Sequence, residues 1–164
     1  MADVPSMERG TRWPRIVALA AAAVQFMSSL PDLAALFADA SEPRFAIVVA
    51  KMVLAPVIAF AALYFAVRGP LRHALIALAA LSLLTWASFL PAFRIEPPNA
   101  QSGAFGLAFA AYQLVLAPLI AGVVVVLALS DKRPVLATLL AVVPTLVGVA
   151  AVVAFAINVF IYGF

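Results

Sequence analysis

The sequence predicts an all-α, polytopic transmembrane bundle of about five spans, with spans 1–2 and 3–4 forming a parallel tandem repeat. Three observations predict it. The chain is 67% hydrophobic and only 10% charged, where soluble domains carry about 25% charged residues. The apolar residues come in long unbroken blocks, giving a mean hydropathy of +1.18. Such blocks favour helices over a barrel of alternating strands, and a helix satisfies its own backbone in lipid. Finally, one phrase occurs twice: residues 52–59 read Met-Val-Leu-Ala-Pro-Val-Ile-Ala, and 114–121 read Leu-Val-Leu-Ala-Pro-Leu-Ile-Ala.

Residues 1–14 read as a basic cytoplasmic leader, with Arg9 and Arg12 ahead of an interfacial turn at Trp13-Pro14. The remainder, 15–164, reads as one transmembrane domain with spans of about 15–37, 45–67, 71–93, 104–129 and 135–162. Each holds about 20 residues or more, enough to cross roughly 30 Å of hydrocarbon. Pro31-Asp32 interrupts the run, so span 1 either continues past Pro31 to Phe37 or gives way to a short helical piece, Leu33–Ala38, lying on the membrane. Ala38-Asp39-Ala40 has the form of a signal-peptidase site. The apolar core ends well before it, so span 1 is expected to be retained.

Two links are tight. Arg68-Gly69-Pro70 joins spans 2 and 3, and Ser130-Asp131-Lys132-Arg133-Pro134 joins spans 4 and 5. Each opens the next helix with a proline, whose missing N–H costs nothing there. The longer link 94–103, with Glu96-Pro97-Pro98-Asn99, reads as an irregular surface connection.

Orientation follows from the basic residues. Arg9, Arg12, Arg15, Arg68, Arg72, Lys132 and Arg133 fall on one side, and only Arg44 and Arg94 on the other. The positive-inside rule then puts the N-terminus in the cytoplasm and the C-terminus outside. The expected location is a bacterial inner membrane. The net charge of +3 is a topology signal of this kind, not a sign of nucleic acid.

The repeat extends beyond the shared phrase. An offset of 62 pairs Lys51 with Gln113 and Pro56 with Pro118. An offset of 60 pairs Gln25 with Thr85, Ser28 with Ser88 and Pro31 with Pro91. Both copies enter the membrane in the same direction, which makes the repeat parallel rather than inverted. Pro56, Pro118 and Pro144 each remove a helix hydrogen bond and are expected to kink their spans.

Polar groups within apolar spans are costly and draw attention first. Lys51 lies about 9 Å into span 2 at 1.5 Å per residue, and Asp32 at the end of span 1 is its natural partner. By depth, Gln25, Lys51, Thr85, Trp86, Gln113 and Asn158 all fall in the outer half of the membrane. They either converge on one polar cavity, making Lys51, Gln113, Gln25, Asp32, Thr85 and Asn158 the candidate site, or bond between helices as packing glue. His73 reads as a surface residue at the cytoplasmic end of span 3.

Cysteine is absent, which removes disulfides, thiolate metal sites and cysteine nucleophiles. The single histidine, His73, cannot supply a bis-histidine haem. No P-loop, His-Glu-x-x-His, Gly-x-Ser-x-Gly or paired intramembrane carboxylates occur. No enzyme, metal or cofactor is therefore expected. The lack of catalytic groups, the short loops and the Ala-rich faces point to an accessory or scaffold subunit, with the bilayer and a membrane protein or a second copy as partners. The alternative is a small oligomeric transporter or channel-like carrier with its polar site in the outer half. A weaker alternative is a lipid- or quinone-binding protein around Trp86 and Tyr112.

Overall fold

In lipid an unwound turn finds no water to bond, so long apolar runs stay helical even through proline. The computed structural model describes residues 7–38, 45–95 and 103–162, and follows this rule throughout. Helix α1 spans Met7–Ala38, α2 Ala46–Arg68 and α3 Leu71–Ile95. Then come α4 (Gly103–Ala111), a π-helical turn (Tyr112–Leu116) and α5 (Ala117–Ser130), which wind on as one rod, and finally α6 (Pro134–Tyr162). Five stretches are long and apolar enough to cross a membrane: Arg12–Phe37, Ala46–Arg68, Leu71–Pro91, Gly106–Ser130 and Pro134–Ile161. There is no strand among the described residues. The chain is a multi-pass, all-helical membrane protein.

One expectation about α1 is corrected and one alternative is decided. The leader does not stop at an interfacial turn, because α1 already begins at Met7 and runs through Trp13 and Pro14. Pro14 is fully buried, so packing holds the chain helical there. Leu33–Ala38 is not a separate interfacial piece, because α1 also continues through Pro31. A proline frees only the carbonyl four residues earlier, a smaller cost in lipid than an unwound turn. Ala38-Asp39-Ala40 and Glu96-Pro97-Pro98-Asn99 extend outside the described residues.

The helices pack in a ring. α1 lies on α2, α2 on α3, α3 on α5 and α5 on α6, and α6 returns to α1. α3 also reaches α6 and α1 across the ring, so it is the most central helix.

Small residues line the inside. α2 buries Ala55, Pro56, Ala59, Ala62 and Ala66, and α5 buries Ala117, Ala121, Val124 and Ala128. Large apolar side chains such as Phe60, Val126 and Leu129 face outward. Lipid tails are as apolar as leucine, so helices gain little by hiding large side chains and much by close approach of their backbones. Buried positions recur in the two halves. At the offset of 62, Ala55, Ala59, Ala62 and Ala66 fall on Ala117, Ala121, Val124 and Ala128, all buried. At the offset of 60, Ala18, Ala21 and Ala22 fall on Leu78, Leu81 and Ser82, again all buried.

The tight links close one end, where most arginines and lysines gather. At Gly69 an added Cβ would sit 2.6 Å from Phe65 Cδ1, so the ring's close approach requires glycine. The Gly69 carbonyl accepts from Arg15 Nη2 at 3.2 Å, tying the α2–α3 turn to α1. At the other link Asp131 ends α5 in the left-handed region (φ 52°), a conformation aspartate tolerates better than most residues. Arg72 lies 3.8 Å from Asp131, an exposed pair of small energetic weight.

Candidate functional site

Gln25, Ser28, Ser29 and Asp32 recur at i, i+3, i+4 and i+7, which puts them on one face of a helix. That face turns into the ring because α1 keeps winding past Pro31. It meets Lys51 of α2, and the Lys51 ammonium donates to Asp32 Oδ2 at 2.6 Å. The side chains are 27% and 38% exposed, so the pair is partly shielded within otherwise apolar helices. An ammonium at this depth is costly alone and tolerable beside a carboxylate.

Opposite this pair stand Ser82 and Thr85 of α3, Tyr112 and Gln113 of the π turn, and Pro144 and Gly148 of α6. Together these groups line a partly open cavity of about 220 Å³. α1, α2, α3, the π turn and α6 all contribute to its wall.

The π turn lies directly before Pro118. Its last bond runs from Ala117 N–H to the Tyr112 carbonyl, one residue wider than the α-helical pattern. Pro118 has no N–H to offer the Leu114 carbonyl, so regular winding is broken there in any case. Wide turns of this kind often occur at functional sites. This one carries Tyr112 and Gln113 into the cavity wall. α2 has no such turn before Pro56 and stays α-helical, so the repeated phrase adopts two local structures.

At the cavity's edge Gln25 Nε2 donates to Thr145 Oγ1 at 3.1 Å, linking α1 to α6. Several hydroxyls are satisfied within their own helices. Ser28 and Ser29 donate to the Gln25 and Phe26 carbonyls at 3.0 and 2.7 Å. Ser88 donates to the Thr85 carbonyl at 2.7 Å, the same local bond as that between Ser28 and Gln25. The Tyr112 hydroxyl is different: it is buried and meets no partner among the described residues. Burying an unmade hydrogen bond is costly, and Tyr112 is one of the residues that line the cavity.

Five of the six residues picked from the sequence come together here: Gln25, Asp32, Lys51, Thr85 and Gln113. Asn158 does not join them. It is exposed, and its amide donates to the Ala154 carbonyl at 2.9 Å on its own helix. Trp86 is also absent from the wall, and its indole N–H is buried without a partner among the described residues. His73 is not a plain surface residue. Its ring packs 5.2 Å from that of Phe65, at the closed end of the ring. Ser29, Ser82 and Thr145 were not singled out from the sequence. The helical spacing on α1 could have found Ser29, and Ser82 precedes Thr85 by three residues on one face. Nothing in sequence marks Thr145 beyond its polarity.

Among the described residues the wall offers one cation, one anion and many neutral hydrogen-bonding groups, with no net charge from Lys51 and Asp32 together. Among the described residues no three His, Asp or Glu side chains gather as metal ligands. The chemistry available is recognition of a polar group by hydrogen bonds and a salt-bridged pair. No protein-family model matches this chain, and neither a curated protein nor a solved structure matches it.

Proposed function

We propose that this protein is a small membrane carrier whose recognition site is the polar cavity around Lys51 and Asp32. The observation that supports it most is the convergence of polar groups from four chain segments on one cavity of about 220 Å³. Packing glue alone would need only pairwise bonds like that between Gln25 and Thr145. In this reading the wide turn before Pro118 serves the ligand by aiming Gln113. The matched burial of the two halves supports a tandem duplication, with α6 added between α5 and α1. The basic end faces the cytoplasm of a bacterial inner membrane, and the cavity lies toward the outer side.

The accessory-subunit role rests on the lack of catalytic groups and on Ala-rich faces. Much of the alanine surface is turned inward: Ala59 and Ala62 are fully buried, and Ala121 nearly so. Those faces pack the chain's own helices, which weakens the case for docking. Ala150 and Ala151 remain outside the core.

The test is native mass spectrometry of wild type and Lys51→Met after mild-detergent extraction. The carrier reading expects a small molecule held by wild type and lost from a folded Lys51→Met. A stoichiometric foreign membrane protein, with no small molecule in either sample, would overturn it in favour of the accessory role.

A further inference from the structure

The polar cavity is not closed on all sides. A second, apolar crevice of about 670 Å³ runs between α1 and α6, walled by Ala23, Val24 and Met27 on one side and Val149, Val152 and Val153 on the other. Gln25, Ser28 and Gly148 line both the cavity and the crevice, so the two adjoin at Gly148. The hydrogen bond between Gln25 and Thr145 pins α1 to α6 at this level. From Gly148 to Ile161 no residue of α6 is buried, so the helix is unenclosed on the side where the crevice meets lipid. From Thr145 to Val153 the crevice wall extends about 12 Å at 1.5 Å per residue.

We infer that the ligand is a membrane lipid, with its headgroup in the polar cavity and an acyl chain in the α1–α6 crevice, entering sideways past Gly148. This rests on the carrier reading above and names its substrate class. A water-soluble solute would have no use for an apolar annex opening into the bilayer. A lipid tail without a polar site would not need Lys51, Asp32 and two glutamines beside it. Lys51 and Asp32 neutralise each other at 2.6 Å, so the headgroup class is one without net charge. A phosphoethanolamine fits, its ammonium facing Asp32 and its phosphate facing Lys51.

Two open glycines make a controlled test. A Cβ added at Gly148 meets nothing within 4 Å, and the same holds at Gly122 on α5. The side chain of Gly148→Phe therefore leaves the backbone into open space at the crevice mouth. Gly122→Phe places the same ring in a separate outer groove, beside Pro118, Leu119 and Val123. The protein is reconstituted in phosphatidylcholine vesicles containing a phosphatidylethanolamine with a photoactivatable acyl chain, and labelled sites are mapped by mass spectrometry. Labelling is expected on 23–27 and 149–153. It should fall about tenfold in Gly148→Phe, equivalent to losing the burial of roughly two methylene groups, and stay unchanged in Gly122→Phe. Lys51→Met should lower it as well.

Labelling spread evenly over the outer faces and indifferent to Gly148→Phe overturns the lipid assignment. A water-soluble compound held by wild type and by Gly148→Phe, yet lost from Lys51→Met, overturns it too and leaves the carrier reading standing. If wild type retains no ligand and Lys51→Met changes no labelling, both readings fall.

Discussion

The Lys51 ammonium lies 2.6 Å from Asp32 Oδ2, so a lysine within α2 is neutralised by a carboxylate just past a proline in α1. The pair joins two helices and supplies both charges that the described residues bring to the cavity. Its partial exposure places it between surface pairs, worth about 0–1 kcal/mol, and fully buried ones, whose breakage costs about 3–5 kcal/mol. Lys51→Met and Asp32→Asn should each cost about 1–2 kcal/mol by this interpolation. The double variant should cost less than the sum. Equilibrium unfolding in mixed micelles, read as a double-mutant cycle, checks this. Strict additivity would mean the contact carries no coupling.

The Gln25–Thr145 bond is a polar tie between α1 and α6. Thr145→Val keeps the shape and removes the hydroxyl that accepts from Gln25. It should cost about 0.6–1.7 kcal/mol, the range for interhelical bonds in membranes. Unfolding under the same conditions measures it, and an unchanged midpoint would remove the tie from the account.

Ala59 and Ala121 occupy matching positions on α2 and α5, both inside the ring. Ala59→Leu or Ala121→Leu should destabilise by about 1–3 kcal/mol through overpacking. Val126→Leu, on the outer face, should stay within about 0.5 kcal/mol. Thermal unfolding of the three variants side by side distinguishes the inner face from the outer one. Equal effects at Ala121 and Val126 would contradict the packing described.

Pro118→Ala restores an N–H that the Leu114 carbonyl can accept. The wide turn should tighten toward regular α-helix and rotate Gln113 in the cavity wall. The chain has no cysteine, so Gln113→Cys provides a clean probe. Its reaction rate with a water-soluble maleimide should change when Pro118→Ala is added. Adding Pro56→Ala to Lys51→Cys should change little, because α2 is already regular there. An identical rate at residue 113 in both backgrounds would detach the π turn from the site.

The same background tests orientation. Asp131→Cys at the basic end should react with an impermeant reagent only from the cytoplasmic side of oriented vesicles. Gln113→Cys should react only from the opposite side. The reverse pattern would invert the topology proposed here.

The helical class and the five spans were legible because apolar run length is a local property and lipid permits little but helices. The pairing of Lys51 with Asp32 was legible too, since an ammonium among apolar residues needs a counter-charge and Asp32 was the nearest in depth. Depth alone also selected Gln25, Thr85 and Gln113, which the fold brings to one cavity wall. It failed for Asn158 because depth does not say which way a side chain points. Asn158 lies on the part of α6 where no residue is buried, and bonds to its own backbone.

The sequence by itself determined that this chain is a membrane bundle with a duplicated phrase and a few costly polar residues. Only the tertiary structure decided that α1 continues through Pro14 and Pro31, that α6 closes the ring against α1, and that the second copy of the phrase opens a π turn where the first does not. The reason is physical. Whether a helix winds on through a proline depends on what surrounds the carbonyl it frees, and whether polar groups meet depends on helix rotation. Both are fixed by packing between segments far apart in the chain, such as Gln25 with Thr145, and no local pattern of residues encodes them.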